Sequence, residues 1–229
     1  NDLIPISPEI IIIMTAFTVL VVDLFDSKRE RSFTLAITTI IGLLLAGISE
    51  SNLYGKNISG FYGTIIADDF SILFEFIYIS VAIVTVFVSL NYIRENGMNF
   101  GEYYVLLLTS VSGMMFLTSG LDLLVIFLGL ELMSISGYIL VGMQRKIATS
   151  NEAALKYLIL GAFSTGFLLY GISLLYGATG STVIPLIISE IQKNVATNPL
   201  IISGISLILI AMSFKIAIVP FHMWTPDVY

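Results

Sequence analysis

The chain has no cysteine and one histidine among its 229 residues. Thiolate ligation of iron–sulfur clusters, CxxCH attachment of haem and bis-histidine haem ligation are therefore excluded, and electron transfer within the chain with them. We expect no cofactor and no metal to be bound by this chain. Charge is also scarce. Asp, Glu, Lys and Arg together make up 11% of the residues, against about 25% in an ordinary soluble domain, too few to cover a water-facing surface. No nucleophile–base pair or metal cluster stands out, and nothing suggests a nucleic-acid partner. The polar opening "NDLIPISPE" has no basic residue and runs straight into a full apolar segment, so no segment is expected to act as a cleavable signal peptide. The chain begins without Met and stops at Tyr229 with no polar tail, and we expect it to be a piece of a longer protein.

What is present is apolar: 57% of the residues are hydrophobic and the mean hydropathy is +0.98. Apolar segments recur at 10–25, 33–48, 70–93, 103–118, 121–143, 153–177 and 200–219. Most approach the roughly 20 residues that an α-helix needs to cross a bilayer core. The pattern predicts an all-α polytopic membrane protein with about seven transmembrane helices. The loops after the first, third and fifth helices carry Lys28, Arg29, Arg31, Arg94, Arg145 and Lys146, and the alternate loops only Lys56 and Lys193. This asymmetry puts the odd-numbered loops in the cytoplasm and the N-terminus outside. The Ile-rich composition leans towards a prokaryotic cytoplasmic membrane.

Loops are short except around 49–64 and 178–199. The second contains "VIPLIISEIQKNVATNP", whose apolar residues 184, 187, 188 and 191 suit an amphipathic helix at the membrane surface, with an ordered loop as the alternative. Only "SGLD" joins the fourth and fifth helices, which predicts a tight antiparallel pair. Gly129, Gly137, Gly161, Gly166 and Gly171 are candidates for close helix approach, though glycine is common in membrane helices anyway.

Ten residues are Lys or Arg, and only Lys156 and Lys215 fall within apolar segments. Glu131 lies about ten residues, or ~15 Å, into its helix. A charge there costs at least about 2.5–3.5 kcal/mol, and nothing in "VIFLGLELMSISGYIL" demands it. Ser134 and Tyr138 share its face and extend a polar stripe. Glu131 is either a functional acid or a neutral packing one. Lys215 sits deep in the last apolar run, five residues before Pro220. That proline removes the N–H that would serve the Ile216 carbonyl, and broken helices at membrane depth accompany cavities and ion sites. His222 falls two turns beyond Lys215 if the helix stays regular, either as a proton relay or as a wet interfacial residue. Lys156 has Glu152 at i−4 and is read as an interfacial salt bridge or a member of a proton path. Glu75 (seven residues after Asp68, on one face) and Asp23 (near Lys28 and Arg29) are weaker candidates.

The stretches "LDLLVIFLGLELMSISGYILVG" (121–142), "SNEAALKYLILGAFSTGFLLYGISLLYGATG" (150–180) and "FKIAIVPFHMWTPDVY" (214–229) resemble the antiporter-like membrane subunits of respiratory complex I. The likeness reaches back weakly to "SPEIIII" and "VVDLF". Mrp-type cation/proton antiporters and membrane-bound hydrogenases share this fold and its Glu/Lys pattern. The resemblance implies the N-terminal half of a fold of about 14 helices with inverted repeats. Residues 1–101 would hold three leading helices, and 102–229 an incomplete first repeat ending before the eighth helix. It aligns Glu131, Lys156, Lys215 and His222 with the family's proton-pathway residues. It further implies other membrane subunits of complex I as partners, including neighbouring antiporter-like subunits, within the lipid bilayer. Flavin, Fe–S clusters and quinone would sit in those partners, and protons would be the transported species. Na⁺/H⁺ antiport and a purely structural scaffold are the alternatives.

Overall fold

The computed structural model describes residues 2–25, 31–95, 100–194 and 198–228. All seven expected helices are found among them: α1 (Ser7–Phe25), α2 (Arg31–Leu53), α3 (Asp69–Glu95), α4 (Phe100–Ser119), α5 (Leu123–Val141), α6 (Ala148–Thr179) and, after α7 (Ile184–Asn194), α8 (Pro199–Lys215). A single turn, α9 (Thr225–Val228), follows. Helices α1, α2, α3, α5 and α6 are long and apolar enough to cross a membrane. Helix α4 is less apolar because Glu102, two tyrosines and several hydroxyls interrupt it, and α8 is shorter, with 17 residues. The protein is a multi-pass membrane protein. The basic residues Lys28 and Arg29, on which part of the orientation argument rests, lie outside the described residues.

Packing divides the chain into two compact units, Asn1–Gly120 with Leu128–Leu140, and Leu121–Phe127 with Val141–Tyr229. The first is a bundle of α1–α4 around Ile12, Val19, Leu35, Leu43, Val86, Tyr104, Leu108 and Met115, all fully or almost fully buried. Its outward residues are as apolar as its core: Phe17, Ile41 and Val88 are exposed, as suits a bundle surrounded by hydrocarbon. Where outside and inside are equally apolar, association depends on close fit and on interhelical hydrogen bonds. Among the described residues three hydroxyl pairs supply such bonds: Ser7 with Ser49 at 2.9 Å, Tyr78 with Thr118 at 3.0 Å and Thr109 with Ser136 at 2.9 Å. Close fit is clearest at Gly113 of α4 and Gly129 of α5. A methyl group on Gly129 would lie 2.8 Å from the Gly113 carbonyl oxygen, so the two backbones touch.

The loop between α2 and α3 departs from the all-helical expectation. It forms an antiparallel hairpin of β1 (Ile58–Gly60) and β2 (Ile65–Ala67), with Ile58 opposite Ala67 and Gly60 opposite Ile65. The strands have three residues each, and Phe61 and Tyr62 take positive φ at the turn without being glycine. Neither feature leaves a readable sequence signal.

In the second unit α6 lies along α8, with Gly171 against Gly204: a methyl on Gly171 would come within 2.8 Å of the Gly204 carbonyl oxygen. Gly166, by contrast, faces open space, so it is no approach point. Ser164 donates across the same interface to the Ala211 carbonyl at 3.1 Å. Asp122 caps α5 by accepting from the Leu124 N–H (2.7 Å) and from the Thr182 hydroxyl (2.6 Å). Residues 184–194 are helical, which decides against the ordered loop. Helix α8 opens on the side chain of Asn198 with Pro199 in its first turn, where a missing N–H costs nothing.

Candidate functional site

Lys215 is the last residue of α8. The sequence places the helix break at Pro220, and the structure places it five residues earlier. The Ala217 N–H donates to the Phe214 carbonyl (3.1 Å) and the Ile218 N–H to the Ser213 carbonyl (2.9 Å). This double closure is a Schellman motif, which needs a left-handed residue just past the helix. Ala217 fills that position with φ +54°. Glycine is the usual occupant, and its absence is why the stop is hard to read from sequence. An ammonium in the last turn complements the negative end of the helix dipole, so Lys215 is placed where backbone carbonyls favour its charge. It is partly buried.

Beyond the break the chain folds back on α6. The Trp224 indole N–H donates to the Phe214 carbonyl at 3.2 Å, and its ring stacks on Tyr157 with centroids 4.6 Å apart and planes 9° from parallel. Asp227 accepts from Lys156 Nζ at 3.1 Å, and Glu152 Oε1 lies 2.9 Å from the same nitrogen. Lys156 is thus held by two acids, one predicted at i−4 and one unforeseen. Its side chain is 43% exposed in this chain. The two-turn spacing of His222 from Lys215 required a continuous helix. With α8 ended at Lys215, His222 instead lies exposed in a turn, its carbonyl accepting from the Thr225 N–H. Sequence reasoning used the "WTPD" stretch only as a resemblance. Trp224 and Asp227 are what tie the broken segment to α6.

Glu131 belongs to the first unit and Lys156, Lys215 and His222 to the second. Glu131 is partly buried in α5. Ser134, one turn on, is buried and donates to the Leu130 carbonyl at 2.6 Å, and Tyr138 is buried on the same face. Of the weaker candidates, Asp23 lies against Gly101, while its proposed neighbours Lys28 and Arg29 fall outside the described residues. Glu75 is more deeply placed than expected, only 4% exposed. Two acids the sequence reading passed over, Glu9 and Glu50, are buried as well. Both sit near the ends of apolar runs, where an acid in sequence looks interfacial.

Residues 120–229 match the family model described as NADH:quinone oxidoreductase/Mrp antiporter, transmembrane. The chain is 43% identical over 225 residues to the NADH-quinone oxidoreductase subunit N of Trichlorobacter lovleyi, covering 98% of this chain and 46% of that protein. It is similar to a chain of the solved respiratory complex I from Thermus thermophilus, with 31% identity and a TM-score of 0.78, over 97% of this chain and 47% of the other. A chain of the membrane-bound sulfane sulfur reductase, an archaeal respiratory membrane complex, shares the fold at 22% identity and a TM-score of 0.81, over 98% and 47%. The chain spans about half the length of the relatives it matches. Over nearly its whole length the chain is similar to about half of an NADH-quinone oxidoreductase subunit N, and its second half matches the membrane-segment model shared by NADH:quinone oxidoreductases and Mrp antiporters.

Proposed function

We propose that this chain is part of a proton-translocating membrane subunit of a complex I-type NADH:quinone oxidoreductase. The carrying observation is Lys215, an ammonium at the Schellman break of α8, within a segment that matches the family model. The turn closes the Ser213 and Phe214 carbonyls, and the negative end of the helix dipole steadies the ammonium at the break, from which a hydrated chain would take its proton. Glu131 is the acid partner in this reading. With an effective dielectric near 20, withdrawing an opposite charge from about 4 to 8 Å weakens its hold on the ammonium by roughly 2 kcal/mol, which favours proton release. Lys156, between Glu152 and Asp227, is the next carrier along α6, and His222 beyond the break is the exit-side group.

The chain has no cysteine, so it cannot ligate iron–sulfur clusters. Flavin, clusters and quinone belong to partner subunits, and neighbouring antiporter-like subunits flank this one in a prokaryotic cytoplasmic membrane, with the N-terminus outside. The test is proton pumping per electron by the whole complex in vesicles, with Lys215→Ala and Glu131→Ala. Unchanged stoichiometry in either would end the proposal. Because the matching family model also covers Mrp antiporters, Na⁺/H⁺ exchange is the second reading, and the purified complex separates the two: flavin and iron in it favour the first, their absence the second.

A further inference from the structure

We infer that Glu9, Glu50 and Glu75 form a proton-binding site within the first three helices, separate from the lysine-bearing segment. Each acid comes from a different helix, α1, α2 and α3, and they are 0%, 1% and 4% exposed. The antiparallel course of these helices brings all three to the same end of the bundle. The side chains of Glu50 and Glu75 act on one another, and Glu9 acts electrostatically on both. Carboxylates gathered away from water repel one another unless a proton neutralises one of them.

The surroundings supply almost no other donor. Among the described residues, Glu9 Oε2 and both oxygens of Glu50 are buried without a donor. The Ser119 hydroxyl of α4 reaches Glu9 Oε1 at 3.5 Å. Asp68, ahead of α3, adds a further negative charge near Glu75. No lysine, arginine or histidine among the described residues pairs with any of the three acids. Nor does any group of three acids or histidines there have metal-holding geometry. Buried oxygens with no donor and no counter-cation mark a place for the one positive species that needs no cavity, the proton. A packing role would be met as well by Gln or Ser, which bring their own hydrogens.

Leu53, Ala67 and Ile72 form a small apolar cluster with Ile58 under the β1–β2 hairpin, one helical turn from Glu50 and Glu75 in the chain. The proposed access route is Ser7 and Ser49, whose hydroxyls are 2.9 Å apart and partly exposed. They are two residues from Glu9 and one from Glu50. A hydroxyl both donates and accepts, so this pair passes a proton between solvent and cluster. Uptake converts one carboxylate to a carboxylic acid and release restores it; only an O–H bond forms or breaks.

Infrared spectroscopy of the whole complex in lipid tests this. The wild type should show a protonated-carboxyl C=O absorption that shifts in D₂O and is lost in Glu50→Gln and in Glu75→Gln. Ser49→Ala should leave its amplitude intact and slow its exchange several-fold. If the Gln variants assemble and the absorption persists unchanged, the site does not exist; unaltered exchange in Ser49→Ala removes the access route. Should the Gln variants fail to assemble, the wild-type complex decides with dicyclohexylcarbodiimide, which modifies protonated carboxyls in apolar surroundings. An adduct on Glu50 or Glu75 supports the proposal, and its absence from both overturns it. Neither readout depends on Lys215 or Glu131, so the two proposals stand or fall apart.

Discussion

The two halves of the chain handle charge in opposite ways. The α1–α4 bundle hides three acids almost completely and gives them no basic partner among the described residues. The segment from α6 to α9 puts Lys215 at the end of a helix and clamps Lys156 between Glu152 and Asp227, with substantial exposure. Carboxyls can be buried without a counter-ion because a proton neutralises them. An ammonium keeps its charge more stubbornly and needs carbonyls, acids or water around it. The contrast therefore follows from side-chain chemistry, and it says which half should trade stability for function by which route.

The sharpest way to break the comparison is Lys215→Ala. If Lys215 carries protons as proposed, its loss should reduce pumping on the order of a hundredfold, with thermal stability little affected, as vesicle pumping and thermal melting of the complex would show. Next comes Trp224→Ala. It removes a buried stack on Tyr157 and a hydrogen bond to the Phe214 carbonyl, and should cost about 3 kcal/mol, seen as earlier melting and as proteolytic cutting after residue 216. Glu50→Leu tests the other half. Replacing a buried acid that lacks a donor with an apolar residue of similar size should raise stability, by about 1–2 kcal/mol; a lower melting temperature would mean that the acids hold the bundle together. The smallest effect should come from Ala217→Gly. Relief of the left-handed backbone, offset by the flexibility of glycine, should stabilise by about 0.5–1 kcal/mol, again by melting.

Much of the architecture was legible because apolar run length is a direct readout of bilayer thickness. Seven runs became α1–α6 and α8, and the short "SGLD" link became a turn between α4 and α5. Amphipathic spacing likewise located α7. Legibility failed where backbone geometry acts without its usual residue. Ala217 stops α8 in a conformation that favours glycine, so Pro220 drew attention instead, and the expected spacing of His222 went with it. The strands at 58–60 and 65–67 are too short to show alternation. Lys215, Lys156 and Glu131 stood out because a charge in an apolar run is rare. Glu9 and Glu50 did not, since three-dimensional convergence, not local sequence, is what makes them unusual. Gly113 and Gly204, the partners of Gly129 and Gly171, were missed for the same reason.

The stack of Trp224 on Tyr157 has a practical corollary. It holds the one tryptophan of this 229-residue stretch, with its indole nitrogen tied to the end of α8. Fluorescence from that ring would report, without any added dye, whether the segment after the break stays docked on α6. A steady signal would describe a fixed hinge, and a flickering one a gate.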